Sequence, residues 1–257
     1  MAALAMLVPT RGRPDNLRRL WQAFTETCTT ATTLIACVDF DDPVLPGYRE
    51  LHETARGNRG AGTDGPEFHL LEAPRLRLAG TLNYYAPQVA ARFPKIGFLG
   101  DDNVPRTVGW DQRYVEALDE LGTGIVYGND LLVGPDLPTQ VAMTSDIVLA
   151  TGLMVPPGIV HLWADNAWLE LGQALDGITY LPDVVVEHLH PFARSAEWDD
   201  GYREANTRER YDADRAAFEQ WRAEEMGRWV GQIRAYPPDD HPNPWPDRLA
   251  LALGGVS

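Results

Sequence analysis

Two adjacent carboxylates, Asp101 and Asp102, followed by Asn103, stand directly after the apolar run Ile96 to Leu99 and Gly100. The run reads as a short buried strand that Gly100 ends, so the acids sit at a strand tip. Carboxylates this close repel one another unless a cation or a held proton lies between them. A divalent metal meets that demand, and oxygen ligands of this kind suit Mg²⁺ or Mn²⁺, which keep open positions for phosphate oxygens. The plainer alternative is a solvated Asp-Asp-Asn turn. Other chemistry-bearing residues are Arg11 and Arg13 in a Pro-Thr-Arg-Gly-Arg-Pro stretch, Asp39 in Asp-Phe-Asp-Asp, Asp165, and the pair His188 and His190.

The surrounding pattern shows how these residues are positioned. Leu4 to Val8 reads as a strand, Pro9 to Pro14 as the loop after it, and Asp15 or Asn16 as the cap of a helix whose Leu17, Leu20, Trp21 and Phe24 recur at helical spacing. Thr33 to Val38 is a second strand ending at Asp39. Strand, helix, strand at this spacing predicts a parallel sheet, with ligands bound beyond the carboxyl ends of its strands, where Arg11, Arg13 and Asp39 lie. Leu45 to Thr54 reads as a helix, and Ala55 to Pro66 as a Gly-rich surface loop or a lid over the site. Phe68 to Leu71 is a third strand, and Gly80 with Thr81 starts a helix that tolerates Pro87 near its beginning. Pro105 fixes the acidic turn, and Thr107 or Asp111 caps the amphipathic segment that follows.

Gly124 to Tyr127 reads as a strand, Thr139 to Met143 and Ile147 to Leu149 as short β-like runs, and Asp165 as the cap of a helix reaching about Leu175. Ile178 to Leu181 and Val184 to His190 are strands, and two-residue alternation puts His188 and His190 on one face of the latter. From about Tyr202 to Tyr236 the chain is charged and aromatic at helical spacing, before a Pro-rich tail and a short Leu-Ala-Leu-Ala-Leu close. The expected division is an α/β domain over residues 1–192 with a helical extension over 193–257. Trp110, Trp163 and Trp168 are expected in the core.

A formal net charge of −15 over 257 residues opposes sequence-independent binding to a nucleic-acid backbone, which needs a basic face to displace counterions. No 18-residue apolar run suited to a membrane span is present. The N-terminal apolar stretch lacks a basic lead and reads as a first strand rather than a signal peptide. Two cysteines, Cys28 and Cys37, make neither a disulfide framework nor a metal motif, so a reducing cytoplasm is the expected compartment. The oligomeric state is open.

In order and spacing, LVPTRGRPDNLRRL, ACVDFDD, LAGTLNYYA, FLGDDNVPRTVGWD, DNAWLELG and LPDVVVEHLHP resemble the family 2 type of GT-A fold glycosyltransferases over roughly residues 4 to 192. The resemblance implies a Rossmann-like, mixed and mainly parallel sheet flanked by helices, and a hexosyltransferase-type activity on a nucleoside diphosphate sugar and a hydroxyl-bearing acceptor. It also implies that Pro9, Thr10, Arg11, Arg13 and Asp39 hold the base and ribose and that Gly80 and Asn83 line the nucleotide pocket. Asp101 would face the ribose or sugar, and Asp102 a Mn²⁺ or Mg²⁺ ion on the diphosphate. Asn103 stands in the third place of the family's Asp-x-Asp metal motif, and His188 or His190 matches a late metal ligand. Asp165 matches the general base of an inverting transfer.

These residue types suit that chemistry. Charge develops on a departing phosphate, where a Lewis acid lowers the barrier, and an acceptor hydroxyl needs a base to take its proton. At a helix N-terminus Asp165 is held ionised by the dipole, although an ordinary cap would look the same. Likewise, His188 and His190 are either ligands or hydrogen-bonded core histidines. Two other readings stand beside this one: a nucleotidyltransferase, whose usual Gly-rich opening differs from Thr-Arg-Gly-Arg-Pro, and a non-catalytic sugar-nucleotide or glycan-binding module on the same fold.

Overall fold

A computed structural model describes residues 3–57, 65–190, 203–204 and 206–237. The Gly-rich stretch expected as a loop or lid falls largely, and the Pro-rich tail with its apolar close almost wholly, outside the described residues.

The first half is a run of strand and helix units: β1 (Leu4–Thr10), α1 (Pro14–Thr27), β2 (Thr32–Asp39), α2 (Leu45–Gly57), β3 (Glu67–Ala73), α3 (Arg77–Ala90) and β4 (Lys95–Phe98). After the acidic turn come β5 (Asn103–Pro105), α4 (Trp110–Leu121), β6 (Ile125–Asn129), β7 (Val141–Thr144), α5 (Ser145–Thr151), α6 (Ala164–Ala174) and β8 (Ile178–His188). Two helices, α7 (Arg208–Glu224) and α8 (Met226–Ala235), follow. The sheet order is β3-β2-β1-β4-β7-β6-β8-β5. Strand β1 runs parallel to β2 and β4, and β3 to β2, whereas β7 is antiparallel to both its neighbours. The fold is therefore α/β with a mixed, mainly parallel sheet, as expected.

Strand alternation sorts the core into two layers. Ala5 and Leu7 of β1 with Ile35 and Cys37 of β2 face α3, α5 and α6, while Leu4, Met6 and Val8 with Leu34, Ala36 and Val38 face α1, α2 and α4. A sheet covered on both faces needs such continuous apolar strands, which is why these segments show no polar alternation. Phe218, Trp221, Trp229 and Ile233 of α7 and α8 are buried in the same layer as α3, α5 and α6. Trp110 and Trp168 lie in the core, while Trp163 is only partly covered.

Four local expectations need correction. Helix α1 begins at Pro14, whose fixed φ suits a first turn, and neither Asp15 nor Asn16 caps it. Helix α4 is capped by Gly109 at φ 79°, so neither Thr107 nor Asp111 has that role. Asp111 instead accepts from Thr29 and Thr30 N–H and the Thr30 and Thr32 hydroxyls, tying α4 to the start of β2. Ile147 to Leu149 is helical, part of α5; three apolar residues show no period that separates helix from strand. Finally, the two late strands are one, β8, and His190 lies just past its end with its N–H on the His188 carbonyl.

Candidate functional site

The sheet order reverses at β1: β2 and β3 lie on one side, β4 on the other. Ligands of such sheets bind in the crevice beyond the strand ends at this switch point. There Thr10 Oγ1, at the end of β1, donates to Asp101 Oδ2 at 2.6 Å, just past β4. A cavity of about 680 Å³ opens over this contact. Pro9, Thr10, Arg11, Arg13, Asp39, Asp101, Asp102, Asn103, Asp165, His188 and His190 all line it. Residues from the whole length of the resemblance thus converge.

The loop after β1 is stitched from several sides. Gly12, at φ +74°, places its N–H 2.7 Å from Asp42 Oδ2, and the Arg13 N–H donates to the Tyr48 hydroxyl at 2.7 Å. Arg11 Nη1 donates to Asp39 at 2.8 Å and to Asp41 at 2.6 Å. Burial raises the Asp39 carboxyl above its ordinary range against the pull of Arg11. The loop therefore enters the cavity already ordered, presenting Arg11 and Asp39 as a joined pair.

A Cβ at Gly100 would collide with Asp102 Oδ1, so a larger residue there would displace that carboxylate. Asp101 and Asp102 are both buried. Burial, and next the charge of Asp102, push the Asp101 carboxyl up to about 6, although Arg13 Nη1 at 3.2 Å and Thr10 oppose this. His188 Nε2 is 3.5 Å from Asp102 Oδ1, and Arg13 Nη1 is 4.0 Å from its Oδ2. The backbone holds this arrangement, since the Leu189 N–H donates to the Asp102 carbonyl and Asn103 pairs with His188 in the β5–β8 ladder. Burial lowers the His188 imidazole, and its Asp102 contact outweighs that and leaves it above its ordinary range. His190 stacks edge-on at 5.1 Å between ring centres.

Asp102 Oδ1 and His188 Nε2 are near enough to share one cation, since each would lie about 2.1 Å from it. Among the described residues no group of three or more His, Cys, Asp or Glu could hold a metal. The donor set thus fits a cation bound by one carboxylate and one imidazole that takes its other ligands from a phosphate-bearing substrate. Asn103 Oδ1 accepts the Gly100 N–H at 2.7 Å and closes the turn, while its buried Nδ2 has no partner among the described residues.

Asp165 is the second residue of α6, and the cap is Trp163, held at φ 68°. The expected Asp165 cap is therefore absent; its Oδ1 accepts the adjacent Asn166 N–H. Burial raises its carboxyl, with that N–H opposing, which makes it a stronger base than an exposed aspartate. Gly80 and Asn83 do not line the cavity. Gly80 sits inside α3, which starts at Arg77 rather than at Gly80, and Asn83 is committed to Met154 N, Val155 N and Val155 O at 2.9 Å each. Leu78 and Thr81 of the same helix face the cavity instead.

Several lining residues carry no sequence signal of their own, among them Arg75, Arg77, His161 and Arg210. Burial lowers the His161 imidazole. The backbone beside it is fixed from the C-terminal helix. Asp214, fully buried on α7, accepts the N–H groups of Val160, His161 and Leu162 at 3.2, 2.9 and 2.8 Å. These residues lead directly into Trp163 and Asp165.

No protein-family model matches the chain, and no curated protein does. Solved structures share its fold. A mannosyltransferase from Pyrobaculum calidifontis, PcManGT, in complex with GDP-Man and Mn²⁺, superposes with a TM-score of 0.58 at 14% identity over 99% of this chain and 76% of its own. TarS 1-349 from S. aureus gives 0.56 at 11% identity over 94% and 89%. Glucosyl-3-phosphoglycerate synthase from Mycobacterium tuberculosis, in complex with Mn²⁺, UDP-glucose and phosphoglyceric acid, gives 0.54 at 12% identity over 85% and 80%. The chain has the GT-A fold of these nucleotide-sugar transferases.

Proposed function

We propose that the protein is a glycosyltransferase that moves a sugar from a UDP- or GDP-sugar to a hydroxyl acceptor with inversion, using a divalent cation. The observation that carries this reading is the Thr10–Asp101 contact at the switch point, with Asp102, His188 and Asp165 lining the same cavity. Structures of this fold in complex with GDP-Man and Mn²⁺, UDP-GlcNAc, or Mn²⁺ and UDP-Glc support the donor class.

In this reading the joined Arg11 and Asp39 hold the base and ribose, and Asp101, fixed by Thr10 and Arg13, orients the ribose or sugar. Asp102 and His188 would hold Mn²⁺ or Mg²⁺, which would supply Lewis-acid neutralisation of the diphosphate. Asp165 takes the proton of the acceptor hydroxyl as that oxygen bonds to the anomeric carbon. The bond from that carbon to the phosphate oxygen breaks, and UDP or GDP departs with the electron pair. Asp165, raised by burial, is poised to accept a proton. Cys28 and Cys37 are free thiols, and we place the protein in the reducing cytoplasm. No described helix is long and apolar enough to cross a membrane.

A panel of nucleotide-sugars tested by thermal shift with Mn²⁺ checks the reading, since a ligand at about 100 times its dissociation constant adds roughly 2.7 kcal/mol. UDP or GDP as the product supports transfer; pyrophosphate as the product would assign a nucleotidyltransferase. No stabilisation by any UDP- or GDP-sugar would refute it.

A further inference from the structure

Among the described residues five arginines line the cavity, and four of them hydrogen-bond to carboxylates. Arg11 is held by Asp39 and Asp41, Arg13 by Asp101, and Arg75 and Arg77 are bridged by Glu204. Arg210 differs. Its backbone N–H meets the Thr207 cap, but among the described residues its guanidinium makes no hydrogen bond; Asp214, one turn on, lies 3.7 Å away. Asp214 has its two oxygens committed to three backbone N–H groups, so it orients Arg210 by charge without saturating it. The Arg210 side chain is 29% exposed, with its fork of donors available to the cavity.

His161 lies in the loop that Asp214 fixes, lines the same cavity, and feels the Arg210 charge. A guanidinium held in place by a carboxylate that it does not hydrogen-bond, beside a ring able to donate a further hydrogen bond, suits a planar or tetrahedral anion. The donor-side acids are already served by Arg11 and Arg13.

We propose that Arg210, with His161 beside it, binds an anionic group, carboxylate or phosphate, carried by the acceptor. This rests on the glycosyltransferase reading for the word acceptor; the anion site itself does not. The C-terminal helix would then select among acceptors, taking hydroxyl compounds that carry such a group over neutral ones.

The test is calorimetry on the full chain with Mg²⁺, with and without saturating UDP or GDP, titrating glycerol 3-phosphate, glycerate and neutral glycerol. The expected result is binding of at least one anion but not of glycerol, weakened about tenfold or more in Arg210→Gln and only partly restored in Arg210→Lys, which keeps the charge and loses the fork. Arg222→Gln, on the same helix and paired with Glu170 at the surface, should bind the anion as the parent does. Three results would overturn the proposal: no anion binding at about 10 mM, equal binding in Arg210→Gln, or binding that UDP and GDP abolish, which would place the anion in the donor's diphosphate pocket. If neither nucleotide binds, the glycosyltransferase reading falls, yet anion binding that depends on Arg210 would still stand.

Discussion

His188 Nε2 stands 3.5 Å from Asp102 Oδ1 because β8 returns antiparallel to β5 and its end is pinned to the acidic turn by the Leu189 N–H. If the two share one cation on the donor diphosphate, Asp102→Ala and His188→Ala should each weaken UDP or GDP binding in Mn²⁺ by about tenfold or more. The double variant should lose little further, because residues serving one ion are not additive. EDTA should reproduce the loss in the parent. Calorimetry decides, and nucleotide binding indifferent to EDTA would remove the metal from the site.

Asp101 predicts a pH dependence of stability. Its carboxyl is raised in the folded protein, to about 6 from 3.8, so the folded state holds this proton more tightly than the unfolded chain. Its stabilising contribution is complete below the lower value and is lost as the pH rises through about 6. The loss amounts to at most about 3 kcal/mol. In metal-free buffer the parent should therefore lose stability relative to Asp101→Asn between about pH 4 and pH 7. Denaturant melts of both proteins measure this, and a difference that stays flat with pH would count against it.

Asp165→Asn should lower transfer by roughly 10² to 10⁴ while leaving nucleotide affinity intact, since the amide cannot take the acceptor proton. Because Trp163 is the cap of α6, Asp165→Ala should cost under about 1 kcal/mol, mostly its dipole contribution. Rates and melting temperatures of both variants are the measurement. An active Asp165→Asn protein would end the base assignment.

Asp214 is a positioning residue for the loop entering α6. Asp214→Ala leaves three N–H groups without their acceptor and should cost about 3 kcal/mol or more. Asp214→Asn keeps one carbonyl oxygen and should fold. Its kcat should fall more than its donor KM rises, because Arg11 and Asp39 are set by β1 and β2 rather than by this loop. An equal change in both constants, or none, would make Asp214 a purely structural contact.

The amino-acid order alone shows the strand and helix sequence of the first half, because β1 and β2 are nearly continuous apolar runs and Gly, Pro and Asp punctuate the units. It also determined the residues that stand beyond those strands: Arg11, Arg13, Asp39, Asp101 and Asp102 follow their strands directly, so local order alone puts them at one edge. Alternation predicted His188 and His190 on one strand face; both line the cavity, although His190 lies past the end of β8. Caps were illegible: Gly109 and Trp163 occupy left-handed conformations at the starts of α4 and α6, and tertiary packing chose them over nearby Asp and Thr. Asn83 looked like a pocket residue, yet a loop 71 and 72 positions away claims its amide. Only the tertiary structure decided that Asp214 and Arg210, on a helix beyond the resemblance, would reach the cavity. Their effect depends on contacts between segments more than 50 residues apart, which no local pattern of charge or periodicity encodes.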